Sequence, residues 1–245
     1  METLFSLTVL ALPLLARGLA EAVQRRSRRS LWSGFEPQPA PDPFRGYKIA
    51  QLIVGPDDDA WLAGVTSLRY GVDELARCRR RGCSPPGLDC RCGFYAFRDR
   101  DRAVALLGQL SARHPARSYV LLTADLDGEV LEYELGFRAQ RQRVLRIEIP
   151  NACSRCLRDG YLRPATTFLA HPHFRGEQLL YERTLSARIA LPLGSAPIRP
   201  VCRDHVPDGA ARRFTLLGLR GLTGTEVALL PDADLPATGG AAEAA

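Results

Sequence analysis

Ser118-Tyr119-Val120-Leu121-Leu122-Thr123-Ala124, then Asp125-Leu126-Asp127-Gly128, then Glu129-Val130-Leu131-Glu132-Tyr133, is the stretch that decides the fold class. Two runs rich in β-branched, aliphatic and aromatic residues flank a segment ending in Asp-Gly, which predicts an antiparallel hairpin reversing at residues 125–128. The next apolar run, Arg143 to Ile149, alternates Val144, Leu145, Ile147 and Ile149 with charged residues and is closed by Pro150, a further strand. Upstream, Asp99 to Ala112 places Ala103, Leu106, Leu107 and Leu110 at helical spacing, and His114-Pro115 stops it. Tyr47 to Val54, ended by Gly55-Pro56, and Trp61 to Tyr70 read as two strands. Downstream, Arg188 to Leu191, Phe214 to Leu217 and Val227 to Leu230 read as short strands. The expected fold class is α+β: mainly antiparallel sheet with one or two packed helices, stapled by zinc sites.

Around this body the chain divides by composition. Leu4 to Ala16 is an uncharged apolar run of thirteen, too short alone to cross a hydrocarbon core of about 30 Å at roughly 1.5 Å per helical residue. Extension to Val23 adds Arg17 and Glu21, and Arg25, Arg26, Arg28 and Arg29 follow. Only Glu2 is charged ahead of the run, which argues against a secretory signal. By the positive-inside tendency the arginines stay cytoplasmic. Two readings of residues 1–30 stand open: a membrane anchor through 3–23 with a cytoplasmic body, or an amphipathic helix of a soluble protein. Four prolines make residues 31–44 a linker, residues 45–230 form the zinc-binding body, and 231–245 are a disordered tail.

The 245 residues carry a formal charge of +6, and 32 of the 33 basic residues are arginine, Lys48 being the only lysine. A GC-rich coding bias explains that as well as selection does, so the charge points only weakly to nucleic acid. With 24% charged residues the body is no polytopic membrane protein.

The seven cysteines fall in two groups. Cys78, Cys83, Cys90 and Cys92 give C-x4-C-x6-C-x-C, with Ser84-Pro85-Pro86-Gly87 as a turn between them. Gly93 lets the backbone leave the site without a Cβ. Four thiolates around Zn2+ carry a formal charge of about −2, which Arg77, Arg79, Arg80, Arg81 and Arg91 offset while lowering the thiol pKa values. The competing reading is cysteines buried as small hydrophobes, but their flanks are arginines. The second group is Cys153-x2-Cys156 with a distant Cys202-x2-His205. A redox C-x-x-C lacks the strand-to-helix context, and a zinc deaminase lacks the H-x-E. Both groups predict structural zinc in a reducing, cytosolic compartment.

These residues also carry a resemblance. Ala76-Arg77-Cys78, Cys83-Ser84-Pro85-Pro86 and Cys90-Arg91-Cys92-Gly93-Phe94-Tyr95-Ala96 resemble an uncharacterised actinobacterial and actinophage family with A-x-C, H-x-A-P and C-x-C-G-I-Y-A in this order. Its later G-x-V, G-x-R-A, C-x2-C and C-x2-H parts match Gly128-Glu129-Val130, Gly136-Phe137-Arg138-Ala139 and the Cys153, Cys156, Cys202, His205 set. The resemblance covers about Arg45 to His205. Cys83 takes the place of the family's histidine and Phe94 that of isoleucine, and no activity comes with it.

Weaker signals are His171-Pro172-His173, which reads as an exposed loop; Asp57-Asp58-Asp59, a solvated turn; and Leu235-Pro236-Ala237-Thr238-Gly239, a sortase-like string lacking the span and basic tail of a sorting signal. The functional expectation is a non-enzymatic zinc-stabilised binding or adaptor protein whose partner is another protein, with a membrane surface through residues 3–23 and, more weakly, nucleic acid as other partners. Its rival is a metal-dependent enzyme or thiol redox protein using one cysteine cluster.

Overall fold

The computed structural model describes residues 38–39, 43–64, 69–78, 80–114, 117–170, 195–208 and 212–231. The elements in chain order are β1 (Gln38–Pro39), β2 (Phe44–Val54), β3 (Ala60–Gly64), β4 (Arg69–Tyr70), β5 (Asp73–Leu75), β6 (Phe94–Phe97) and α1 (Arg100–Arg113). There follow β7 (Val120–Tyr133), β8 (Gly136–Pro150), α2 (Ser154–Arg158), β9 (Thr167–Ala170), β10 (Ala196–Val201), β11 (Arg212–Phe214), α3 (Leu216–Thr223) and β12 (Glu226–Leu230). The fold is α+β and dominated by antiparallel sheet, with the parallel β12–β8 pair as the exception.

The organising unit is the long hairpin β7–β8. The reversal does not fall at residues 125–128 as the Asp-Gly signal suggested: β7 runs through them unbroken and turns at Glu134–Leu135. The reason is a bulge. Asp127 opposes Arg141 and Val130 opposes Ala139, so β7 carries one residue more than β8 between those pairs. Gly128 takes the strain with a φ of +72°, the left-handed region that costs glycine least. A second irregularity, between Thr123 and Ala124, leaves Leu145 of β8 unmatched, and the Thr225 hydroxyl reaches the carbonyls of Val144 and Leu145 at 3.0 and 2.9 Å.

Pairing then closes on itself. β2 pairs with β7 from Phe44↔Leu126 to Ala50↔Val120, β8 pairs with β6, and β6 returns to β2 at Tyr47↔Phe97. The ring encloses a small apolar cluster of Ala96, Leu126, Val130, Phe137 and Ala139. Further along β2 and β7, alternation splits the apolar residues between two faces. Ala50, Leu52, Val120 and Leu122 join the main core, while Ile49 and Leu121 receive Ala103 and Leu107 of α1. That helix begins where expected, with the Asp99 carboxylate accepting from the Asp101 and Arg102 amides at 2.7 and 3.1 Å.

Two strand assignments change and one strand is new. The run Trp61 to Tyr70 is β3 and β4 paired antiparallel to one another, Leu62 opposite Tyr70. Phe214 to Leu217 straddles a boundary: Phe214 ends β11, and Thr215 caps α3 by accepting the Gly218 amide at 3.1 Å. β10, Ala-Pro-Ile-Arg-Pro-Val, forms a strand despite two prolines, because residues 196–197 pair with β2 and 198–201 with β9, so each residue has one neighbour strand. Within the Pro-rich stretch, Gln38–Pro39 pairs with Val130 and Glu129 of β7. No helix among the described residues is long and apolar enough to cross a membrane. Residues 1–30, the Arg188 to Leu191 strand, His171, His173 and the 235–239 string lie outside the described residues.

Candidate metal centres

The first cluster sits on the segment between β5 and β6. The Sγ atoms of Cys78 and Cys90 lie 3.5 Å apart and those of Cys83 and Cys92 3.4 Å apart, and all four fall within 4.8 Å of one another. Tetrahedral thiolates at a metal–sulfur distance near 2.3 Å are separated by about 3.8 Å, so the observed edges match a common cation slightly contracted. Backbone turns set the sulfurs: the Cys83 amide donates to the Arg80 carbonyl and the Cys90 amide to the Gly87 carbonyl. The amides of Arg80 and Gly87 point at Sγ of Cys78 and Cys92, both at 3.4 Å. Gly93, at φ +112°, leads the chain away into β6, where a Cβ would come within 2.8 Å of Arg138 Cγ.

Arg138 appears in the sequence only as part of the G-x-R-A element, and sequence reasoning missed its role. It lies on β8 opposite Tyr95, is buried, and its guanidinium donates to the Gly87 carbonyl at 2.9 Å and to the Cys90 carbonyl. It therefore holds the metal loop to the sheet through the third ligand itself and the glycine three residues ahead of it. An Arg in an alternating strand gives no sign in sequence of facing inward.

The second cluster joins two turns that are distant in sequence. Cys153 follows β8 and is the N-cap of α2, which carries Cys156, so a strand does feed a helix at this pair, contrary to the sequence reading; Cys202 precedes the 3-10 turn Arg203–His205 that ends on the fourth donor. His205 Nδ1 stands 3.3, 3.3 and 3.4 Å from Sγ of Cys153, Cys156 and Cys202, and Cys156 and Cys202 are 3.7 Å apart. The three cysteines are buried against Leu169 and Val201, so β9 and β10 supply the floor. The structure thus brings together both predicted ligand sets, Cys78, Cys83, Cys90 and Cys92, and Cys153, Cys156, Cys202 and His205. Either set could hold a metal ion. His171 and His173 are outside the described residues, and Asp58 of the acidic turn pairs with Arg212 at 3.0 Å.

In each set one thiol is shifted down and another up. Burial is the largest influence on Cys90 and raises it, but hydrogen bonds from Cys78 and from Cys92 outweigh it and bring the thiol down to about 7. Cys83 is pushed up to about 12 by burial and by its sulfur neighbours Cys92 and Cys78. Cys153 and Cys156 repeat the pattern. Burial opposes ionisation of Cys153, yet the amides of Cys156 and Cys202, with His205, bring it to about 6; burial and the neighbouring Cys153 and Cys202 push Cys156 to about 12. A central divalent ion would favour the ionised form of the thiols around it.

This chain matches no family model, no curated protein and no solved structure.

Proposed function

We propose that the protein is a non-enzymatic binding or adaptor module whose fold is stapled by two structural zinc ions, one in each cluster. The observation that carries this reading is the donor count: each set supplies four soft ligands around one point, which fills a tetrahedral zinc and leaves no position for substrate. A catalytic zinc keeps three protein ligands and an open site, so a metal-dependent enzyme fits the donor sets less well. Zinc is favoured over other ions by thiolate and imidazole donors at tetrahedral spacing. Seven free cysteines, grouped as ligands, suit a reducing cytoplasm, with residues 3–23 available to dock the body at the inner face of a membrane.

The test is chelation under reducing conditions, followed by near-ultraviolet circular dichroism. The account expects loss of the tertiary signal when a strong chelator strips the protein and its return with two equivalents of zinc. A signal unchanged by chelation, on protein shown to have lost its metal, would remove the structural role.

A further inference from the structure

When four ligands turn inward on a short segment, the residues between them turn outward. In the first cluster these are arginines. Arg80 and Arg81, between Cys78 and Cys83, and Arg91, between Cys90 and Cys92, are all exposed, as is Arg77 just ahead of the first ligand. The two loops are neighbours, because the Arg80 guanidinium reaches the Asp89 carbonyl at 3.5 Å and Cys78 meets Cys90 at the centre. Arg77 pairs with Glu74 at 3.2 Å, whereas among the described residues no carboxylate pairs with Arg80, Arg81 or Arg91. Residues 77–92 hold five arginines and one carboxylate, Asp89. With Asp89, the Glu74 that pairs with Arg77 and the two negative charges of a zinc tetrathiolate set against these arginines, one net positive charge remains on this stretch of sequence.

Beside these arginines stands an exposed ring. Tyr95 is 49% exposed, and its hydroxyl donates to the Arg91 carbonyl at 3.2 Å, which fixes it against the second loop. The Arg138 guanidinium lies 5.7 Å from the ring centroid. Cations that match phosphate geometry next to a held aromatic ring are the components of single-strand recognition: backbone attraction together with base stacking. Among the described residues no helix lies between Cys78 and Cys92 to enter a major groove, which disfavours duplex DNA.

We propose that this metal-bound loop is a docking surface for single-stranded nucleic acid, with Arg77, Arg80, Arg81 and Arg91 on phosphates and the Tyr95 ring against a base. The proposal names the partner of the binding module described above and rests on that reading, because the metal ligands fold the segment that carries these exposed arginines. A sequence-tolerant ligand is implied, since attraction to phosphates and stacking on a ring are both independent of base identity.

The experiment is fluorescence anisotropy of a labelled 20-nucleotide oligo(U) and oligo(dT) with the metal-loaded full-length protein. Expected is a dissociation constant in the range of about 10⁻⁶ to 10⁻⁴ M, with log K falling against log salt at a slope of about −2 to −3 for three or four phosphate contacts. The triple variant R80Q/R81Q/R91Q should bind at least tenfold more weakly with a flatter slope. Tyr95→Ala should weaken binding several-fold and leave the slope unchanged. Zinc content and melting temperature are measured on every sample, so loss of the fold is separated from loss of the ligand. Absence of binding in low salt, by protein carrying both zinc ions, overturns the proposal and leaves the zinc reading intact. So does binding that the triple variant retains but that substitution of Arg25, Arg26, Arg28 and Arg29 by glutamine abolishes. Binding to phosphatidylserine vesicles with none to either oligonucleotide would also overturn it, in favour of an anionic membrane.

Discussion

Arg138 and Lys48 are two buried cations put to different uses. Arg138 spends its hydrogen bonds on the carbonyls of Gly87 and Cys90, and so couples β8 to the first cluster. Groups that orient metal ligands from behind typically contribute a factor of about 10 to 100 in metal affinity. Arg138→Ala should therefore lower zinc affinity at the first site by about that factor, read by chelator competition, while the second site keeps its own affinity. Equal loss at both sites would show general unfolding instead. Lys48 lies inside the sheet, its ammonium donating to Gln142 Oε1 and standing 4.6 and 4.7 Å from the Tyr70 and Phe94 rings. Burial brings it down to about 7. Its unfolded value is near 10.4, so between pH 7 and 10 the unfolded chain holds more protons and stability must rise with pH. Below pH 7 both states carry the charge and the contribution levels off at its most unfavourable. Comparison with Lys48→Met in urea isolates it: the difference in unfolding free energy should move toward the wild type across that window, by at most about 1.4 kcal/mol for each step of one in pH. A difference that stays flat with pH contradicts a depressed Lys48.

At the scale of elements, the sheet is held in register by irregularities as much as by alternation. Gly128 is the test case: with φ +72° and Gln140 Oε1 within 2.5 Å of where a Cβ would stand, it permits the extra residue in β7. Gly128→Val should cost about 2 kcal/mol or more in urea denaturation, because a β-branched residue is poorly tolerated at positive φ. A neutral result would mean that the bulge is not required. This residue also shows what the sequence made legible and what it did not. Asp127-Gly128 correctly announced a left-handed position, but a bulge and a hairpin turn use glycine alike, and the true reversal at Glu134–Leu135 carries no turn residue. Helix α1 was legible because its cap and its apolar spacing agree. Helix α3 was not, since eight residues offer two turns of periodicity, although Thr215 and Gly224 mark both ends. β5, β6 and α2 passed unnoticed because short segments owe their form to the partners and ligands beside them. The metal ligands were the most legible residues of all, being defined by side-chain chemistry and spacing; Arg138 was visible within the G-x-R-A element, but its role, defined by where β8 places it, was not.

For the whole molecule, the two clusters occupy different ends of the stability problem. The first fastens the segment between β5 and β6, and the second fastens α2 and the turn after β10 to one another across 45 intervening residues. A structural zinc contributes on the order of 10 kcal/mol of apparent binding free energy near neutral pH, comparable with the whole stability of a domain. Cys78→Ser and Cys153→Ser should each lower the melting temperature markedly; an unchanged melting curve for either counts against a structural site there. If residues 3–23 dock at a bilayer, full-length protein should sediment with membranes in high salt and deletion of residues 1–30 should release a folded, zinc-bound body. Solubility of the full chain without detergent, or aggregation of the truncated one, would assign that segment to a packed interface instead. The central claim is the pair of filled tetrahedral sites, and elemental analysis with thiol titration tests it most directly. Protein purified under reducing conditions from zinc-replete cells should carry two zinc ions per chain, with its seven cysteines unreactive until a chelator is added. Protein that is folded, free of metal and freely reactive at all seven thiols would contradict the account.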